Sequence, residues 1–148
     1  MNELHVRALE RGDRERWAEL YAAYAAFYRV EQTEAMRERV WGWLHGPARE
    51  VSGLVAEADG RIVGIAHLRD FVRPLAAETG LYLDDLFVDP IARGLGAGGA
   101  LLEAARALAA DRGHTVVRWI TAKDNATARR LYDRTAEATE WVTYDMAV

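Results

Sequence analysis

The chain has 148 residues, no cysteine and a formal net charge of −4, as expected for one domain large enough to bury a core. The absence of cysteine excludes disulfides, thiolate metal sites and a cysteine nucleophile. The acidic balance argues against a surface that binds nucleic acid. No apolar run approaches the roughly 20 residues of a membrane helix, and residues 1–5 carry no signal-peptide pattern. We therefore expect a soluble, cytoplasmic protein with no metal site and no membrane partner.

Hydrophobic periodicity and turn residues predict the element order β-α-α-β-β-β-α-β-α-β. The strands are expected at residues 4–9, 52–57, 61–69, 81–88, 115–121 and 141–148, and the helices at 14–29, 33–45, 100–112 and 126–134. Residues 70–79 are expected to form a loop. No linker or repeat divides residues 1–148, so we expect one domain. Early hairpin-joined strands followed by strand–helix units predict an α/β (α+β) fold, with a mixed, mostly antiparallel sheet and helices on both faces.

The first predicted helix carries an aromatic stripe that begins at Trp17 and recurs in steps of three and four residues. Its start is expected to lie in the core. Its end, with Tyr24, Phe27 and Tyr28, adjoins a predicted loop and is a candidate pocket wall for a substrate. His67 has no cysteine or histidine near it in the sequence, so we expect it to be structural or exposed.

A glycine-rich segment separates the predicted strand 81–88 from the next helix. Its candidate anion-binding residues are Arg93, Gly94, Leu95, Gly96, Ala97, Gly98 and Gly99. Glycines allow backbone amides to approach a phosphate closely, a helix N-terminus attracts negative charge, and arginine adds a forked donor. One alternative is that the glycines serve only close packing. Another is a dinucleotide site, because three of them fit G-x-G-x-x-G, but the intervening residues 89–93 argue against it.

Two motifs in this half of the chain resemble those of the GNAT family of N-acetyltransferases. Leu86-Phe87-Val88-Asp89-Pro90, followed by Arg93-Gly94-Leu95-Gly96-Ala97-Gly98, is similar to that family's acetyl-CoA motif, Arg/Gln-x-x-Gly-x-Gly/Ala after a strand. Asn125-Ala126-Thr127-Ala128-Arg129-Arg130-Leu131-Tyr132 resembles its second motif, an asparagine near a helix start with a tyrosine two turns later. Both occur in the family's order and spacing.

The resemblance implies a GNAT-like fold, acetyl-CoA as the cofactor and roles for individual residues. Backbone groups of Leu86, Phe87 and Val88 would pair with the pantetheine arm, and amides of the glycine segment would hold the pyrophosphate. Asn125, with Ala128 beside it, would also bind the cofactor. Tyr132 would protonate the departing thiolate, which a phenol with a pKa of about 10 can do at neutral pH. The alternatives are a helix cap for Asn125 and an ordinary buried tyrosine for Tyr132.

Asp84 and Asp85 are the carboxylates nearest the expected reaction position. An alkylammonium group is about three pKa units too protonated at pH 7, which corresponds to about 4 kcal/mol, so a proton acceptor would help. The string Leu83-Asp84-Asp85-Leu86-Phe87-Val88 is similar to Leu-Glu-Asp-Phe-Phe-Val of diamine (spermidine/spermine) acetyltransferases, in which the glutamate contacts substrate. Asp84 occupies that place and is preferred, directly or through water. Only one of the two should face the pocket unless a β-bulge intervenes.

The sequence thus predicts an acetyl-CoA-dependent N-acetyltransferase that transfers an acetyl group directly to a primary amine of a small molecule or peptide. The alternatives are a non-catalytic acyl-CoA sensor and, less well supported, a nucleotide-binding oxidoreductase. The chain lacks the Gly-Phe pair that usually follows the tyrosine in the GNAT family. The last part of the sheet, and a possible homodimer formed through it, are therefore left open.

Overall fold

The chain folds around a five-stranded sheet. A computed structural model describes residues 3–148, with strands β1 (Leu4–Ala8), β2 (Ser52–Ala58), β3 (Arg61–Arg73), β4 (Glu78–Val88) and β5 (Val117–Arg118). The helices are α1 (Arg14–Phe27), α2 (Glu34–His45), α3 (Ala97–Asp111) and α4 (Ala126–Thr135). Met1 and Asn2, the first residues of the segment inspected for a signal pattern, lie outside the described part.

The strands lie in the order β1-β2-β3-β4-β5. All neighbours are antiparallel except β4 and β5, which run parallel. Short turns join β2 to β3 and β3 to β4, whereas α1 and α2 lie between β1 and β2, and the parallel pair is connected through α3. The predicted mixed, mostly antiparallel sheet is therefore confirmed.

Two apolar clusters cover the two faces of the sheet, as the alternation of strand side chains requires. Trp17 of α1 and Trp41 of α2 pack with Val55 and Ile65 on one face. Leu101 and other residues of α3 pack on the opposite face, where α4 adds partly buried side chains. Helices thus lie on both faces, and the described part of the chain contains no helix long and apolar enough to cross a membrane.

Residues 70–79 are not the predicted loop. β3 continues to Arg73 and β4 begins at Glu78, and the two ends pair across a short 3-10 turn, Pro74–Ala76. The charges that suggested a loop are paired across the hairpin, since Arg73 Nη1 lies 3.1 Å from Glu78 Oε2. Cross-strand pairs of this kind stabilise a sheet whose side chains are partly exposed.

The end of the predicted sheet differs most from expectation. β5 comprises only Val117–Arg118 rather than residues 115–121. The strand predicted at 141–148 is wrong, because these residues form no strand and all are exposed. Their alternating pattern favours a strand, but a strand requires a neighbouring edge with which to form its hydrogen bonds.

Candidate active site

The parallel contact between β4 and β5 ends early and leaves a cleft. β5 pairs with β4 only through Leu81↔Val117 and Tyr82↔Arg118. On the other side of β4, Asp89 donates its N–H to the carbonyl of Val63, 2.7 Å away. Peptide groups alternate in direction along an antiparallel strand, so those of Phe87 also point toward β3.

By the same alternation, the N–H and C=O groups of Leu86 and Val88 point away from β3, into the cleft. No strand within residues 3–148 pairs with this part of β4 on that side. Of the three residues whose backbone groups are predicted to bind the cofactor, Leu86 and Val88 direct those groups into the cleft. The backbone groups of Phe87 are not available there, because they are directed to β3.

A β-bulge in β4 places the two neighbouring aspartates on one face of the sheet. His67 pairs with Asp85 and Leu68 pairs with Leu83, so Asp84 is the extra residue. Leu83 and Leu86 both contact the cluster beneath α3. The two residues between them therefore face the α1 side, and the expectation that only one aspartate faces the pocket does not apply.

Asp85 lies in a hydrogen-bonded network with buried aromatic residues. Its Oδ2 lies 2.8 Å from His67 Nδ1 and accepts a hydrogen bond of 3.0 Å from the Tyr21 hydroxyl. His67 is 2% exposed, and its Nε2 lies 2.8 Å from Trp17 Nε1. An indole N–H can only donate, so Nε2 accepts and the proton of the neutral imidazole lies on Nδ1. His67 thus donates to Asp85; it is structural as predicted, but not exposed.

This network sets the protonation of Asp85. Burial raises the pKa of Asp85, but the hydrogen bond and electrostatic interaction with His67, followed by the hydrogen bond from Tyr21, outweigh burial and lower it below its usual value. Burial and the nearby charge of Asp85 raise the pKa values of Tyr21 and Tyr24. At neutral pH the site therefore contains an ionised carboxylate among protonated phenols.

Asp84 has a different environment from its neighbour. Its Oδ2 accepts a hydrogen bond of 2.8 Å from Arg69 Nε, at the surface of the sheet. The Arg69 guanidinium also lies over the Tyr82 ring, 4.5 Å from its centroid. Asp84 is thus paired with a cation at the rim, whereas Asp85 has neutral donors and faces the aromatic residues of α1.

The glycine segment forms the turn into α3. Gly94 and Gly96 have φ values of 87° and 82°, which a side chain disfavours. α3 begins at Ala97, three residues earlier than predicted, so Gly98 and Gly99 lie in its first turn. Amides in the first turn lack intrahelical acceptors and carry the positive end of the helix dipole. Arg93 and Leu95 complete the loop, and Arg93 is exposed.

Gly98 also has a packing role. A Cβ at Gly98 would lie 3.1 Å from Leu131 Cδ2 of α4, whereas one at Gly99 would lie 3.7 Å from Leu131 Cδ1. The first contact is tighter than usual, so Leu131 would have to shift by a few tenths of an ångström, and the second is ordinary. Close packing, the alternative stated from the sequence, thus favours glycine at position 98 but not at positions 94, 96 or 99.

α4 brings the second motif to the same region. Asn125 caps the helix through a hydrogen bond of 3.5 Å from the Ala128 amide to its Oδ1. This capping role was the alternative to cofactor binding. Tyr132 is half-buried, and its ring centroid lies 5.3 Å from that of Trp119. Burial, and secondarily Tyr28, raise the pKa of Tyr132, so its hydroxyl remains protonated at neutral pH.

The end of α1 supplies an aromatic wall, which we define as Tyr24, Phe27, Tyr28 and Phe87. The ring of Tyr24 lies 5.7 Å from that of Phe87 and 5.0 Å from that of Tyr28. Phe27 and Tyr28 are 59% and 44% exposed, so the wall is open to solvent. Here the structure brings together the three residues predicted on α1 and Phe87 of β4, and Asp85 is close enough for its charge to act on Tyr24. Asp84 is paired with Arg69 at the rim instead.

Sequence reasoning missed the part played by Trp17, Tyr21 and His67 in holding Asp85. Trp17 and Tyr21 are four residues apart on α1 and therefore lie on one helix face. That spacing was visible, but the register that sets His67 opposite Asp85 depends on the hairpin and its bulge. A lone histidine gives no signal of such a partner.

The chain belongs to the acetyltransferase (GNAT) family, whose sequence model matches residues 17–136. Enzymes of this family use acetyl-CoA as the acetyl donor, and the chain is accordingly an acyltransferase that acts on amines. The family, the fold class and the enzyme class predicted from the motifs are confirmed.

Particular relatives cover nearly the whole chain. It is 28% identical to the D-amino-acid N-acetyltransferase HPA3 of Saccharomyces cerevisiae, over 94% of this chain and 88% of the relative. It is 30% identical to the uncharacterised N-acetyltransferase YhfO of Bacillus subtilis, over 98% of both chains. Among solved structures, the aminoglycoside N-acetyltransferase AAC(6')-Iy in complex with CoA is similar in fold, with a TM-score of 0.82, 18% identity and coverage of 99% and 96%.

Proposed function

We propose that this protein transfers an acetyl group from acetyl-CoA directly to a primary amine of a small molecule or peptide, in a ternary complex without a covalent enzyme intermediate. The observation that carries the proposal is the open edge of β4, where the peptide groups of Leu86 and Val88 face the cleft. This edge lies between the first turn of α3 and the aromatic wall.

The residues around the cleft have the chemistry that acetyl-CoA requires. Acetyl-CoA supplies a thioester as the acetyl donor and a pyrophosphate as an anionic anchor. First-turn amides from Ala97 to Gly99, with the exposed Arg93, supply donors for the anchor. The unpaired β4 edge offers donors and acceptors to an extended amide arm, much as a neighbouring strand would. Asn125 acts through its cap, by fixing the start of α4.

The amine is attracted by Asp85 but not deprotonated by it. An alkylammonium has a pKa of about 10.4, whereas the pKa of Asp85 is lowered, so Asp85 is a far weaker base than the amine and proton transfer to it is strongly unfavourable. Loss of the proton to solvent at pH 7 costs only about 4 kcal/mol. Asp85 therefore holds the amine and stabilises the positive charge that develops on its nitrogen. We therefore propose an electrostatic role for Asp85 in place of the base role predicted for Asp84 or Asp85.

Tyr132 is assigned the role of proton donor to the leaving thiolate. Its raised pKa keeps the phenol protonated throughout the neutral range. Its position beside Trp119, on the helix that packs on Gly98, supports a role on the side of the cleft where we propose that the cofactor binds. The wall formed by Tyr24, Phe27 and Tyr28 lies on the acceptor side, where aromatic faces favour a cationic or hydrophobic acceptor.

The test combines calorimetric titration of acetyl-CoA with a screen of amines read by release of free thiol. The panel contains D-amino acids, after HPA3, and aminoglycosides, after AAC(6')-Iy, together with simple diamines and a peptide amine. We expect binding of acetyl-CoA and acceptor-dependent thiol release. Absence of binding would refute the proposal, whereas binding without transfer to any amine would indicate the acyl-CoA sensor instead.

A further inference from the structure

The acceptor side of the cleft contains a charged residue, Arg69, that the proposed mechanism does not use. Arg69 lies on β3, two residues beyond His67, and is therefore on the same face of the sheet, about 7 Å along the strand. Its side chain is 45% exposed, and its partner Asp84 lies beside Asp85 on that face. Asp84 is also close enough for its charge to act on Tyr21, which donates to Asp85. Arg69 and Asp85 can thus contact one small acceptor together.

Two neighbours hold the Arg69 side chain in place and leave its outer edge open. Asp84 Oδ2 accepts a hydrogen bond of 2.8 Å from Nε, and the guanidinium lies over the Tyr82 ring, 4.5 Å from its centroid. Neither Nη nitrogen of Arg69 donates a hydrogen bond to the described part of the chain. The outer edge therefore presents N–H donors in a fixed orientation, the arrangement that binds a carboxylate through two parallel hydrogen bonds.

Asp84 orients this arginine without occupying it. The two side chains together are neutral, so Asp84 weakens the general attraction of Arg69 for anions. Asp84 contacts only Nε, however, and a carboxylate at the Nη nitrogens would still accept charge-assisted hydrogen bonds. Such a contact selects a ligand by the position of its carboxylate more than by its net charge.

Asp85 supplies the complementary contact for an ammonium group. The hydrogen bonds from His67 and Tyr21 both end on its Oδ2, so Oδ1 is the oxygen that remains for a ligand. In an α-amino acid, one carbon separates the ammonium from the carboxylate. With a hydrogen bond of about 2.8 Å at each end, such a molecule bridges strand positions that lie about 7 Å apart.

The aromatic wall offers a third contact to the same molecule. Asp85 acts by its charge on Tyr24, and the rings of Phe27 and Tyr28 beside it are open to solvent. A side chain on the α-carbon would pack on these rings, which favour apolar and aromatic groups. Contacts to three different substituents of one carbon also distinguish its two mirror forms.

We propose that the acceptor is an α-amino acid with an apolar or aromatic side chain, and that Arg69 determines this specificity by binding its carboxylate. The inference rests on the proposed acetyl transfer and names the substrate class. The deprotonated amine nitrogen forms an amide with the acetyl carbon, the C–S bond of acetyl-CoA breaks, and the proton that the nitrogen then releases balances the one that the thiolate takes up. The carboxylate does not react, so Arg69 sets binding and orientation.

The experiment compares two amino acids, phenylalanine and leucine, with their decarboxylated amines, phenylethylamine and isopentylamine, by thiol release. Arg69→Gln should lower kcat/KM for the preferred amino acid by at least about tenfold, because it removes charged hydrogen bonds, and should leave the matching amine almost unchanged. The ratio between variants cancels the different basicity of the two amines. The matched control is Arg118→Gln, since Arg118 is also exposed and lies over an aromatic ring of the sheet, Phe71, at 5.3 Å.

The outcomes separate this inference from the proposed function. Transfer to the amines with an unchanged ratio in Arg69→Gln, or equal losses in Arg69→Gln and Arg118→Gln, would overturn the inference and leave acetyl transfer intact. Absence of transfer to every amine would refute both. The two mirror forms of the preferred amino acid should differ in kcat/KM, and equal values would contradict the three contacts. An unchanged Kd for acetyl-CoA in Arg69→Gln would show that the variant is folded and that the loss concerns the acceptor.

Discussion

Replacement of Tyr132 by phenylalanine isolates the chemical role of one hydroxyl. The described residues offer that hydroxyl no hydrogen-bond partner, while the ring packs on Trp119 at 5.3 Å and would remain in Tyr132→Phe. The free energy of unfolding should therefore change by less than about 0.5 kcal/mol. A lost general acid lowers a rate by about 10²–10⁴-fold, which is about 3–5 kcal/mol of transition-state stabilisation.

The assay measures kcat by thiol release and the Kd of acetyl-CoA by calorimetry. We expect kcat to fall by about 10²-fold or more, with little change in Kd or Tm. Because burial raises the pKa of Tyr132, the wild type should keep its acid form well into the alkaline range. Tyr144→Phe is the matched control, the same chemical change at a site that is 91% exposed. An unchanged kcat in Tyr132→Phe would remove Tyr132 from the proposed mechanism.

Three other substitutions test the rest of the site. Asp85→Asn should raise the KM of the amine by about 10- to 100-fold, because a charged hydrogen bond contributes about 1.5–3 kcal/mol; an unchanged KM would place the amine elsewhere. The lowered pKa of Asp85 also means that its contribution to stability is present above about pH 4 and is lost as the pH falls further, so urea unfolding of wild type and Asp85→Asn should converge at low pH. Gly99→Ala should stabilise α3 by about 0.5–1 kcal/mol and should also raise the KM of acetyl-CoA. The control is Gly42→Ala on α2, where a Cβ meets nothing within 4 Å, and it should give only the stabilisation. Equal KM values in the two variants would indicate that Gly99 does not approach the cofactor. Asp89 accepts a 2.7 Å hydrogen bond from Arg16 of α1, so Asp89→Ala should loosen the turn before the glycine segment and weaken acetyl-CoA binding in calorimetry. Unchanged binding would show that the contact between Asp89 and Arg16 does not support the cofactor site.

The helices and the core strands followed from local patterns in the sequence. The aromatic stripe of α1 and the glycine at the end of α3 depend on neighbours a few residues apart, and Gly113, with φ 76°, ends that helix as predicted. The hairpin at residues 70–79 was mistaken for a loop because it is stabilised by pairs across the strands and by contacts with residues that follow α3 in the sequence. Arg112 Nη1 and His114 Nε2 each lie 2.8 Å from Asp70 Oδ1, more than 40 positions apart in sequence.

The same contrast applies to the candidate site, where some residues are marked by local motifs and others depend on contacts between distant parts of the chain. The glycine segment and Tyr132 are marked by short motifs, and their placement near one cleft agrees with the order of those motifs. The environment of Asp85 arises instead from a register between two strands and from a tryptophan on a third element. Sequence patterns report which residues share a face, but they do not report which residue stands opposite on a neighbouring strand.

The bulge at Asp84 also bears on the shape of the cleft. An inserted residue increases the right-handed twist of its strand, and here the insertion lies two residues beyond Tyr82, the last β4 residue that pairs with β5. Deletion of Asp84 would leave Leu83, Asp85 and Leu86 on their present faces, because regular alternation already assigns them there. Such a deletion would straighten β4 and bring its far end toward residues 119–121. The inserted residue of the bulge would thus set the width of the cleft between β4 and β5 through the backbone, independently of its carboxylate.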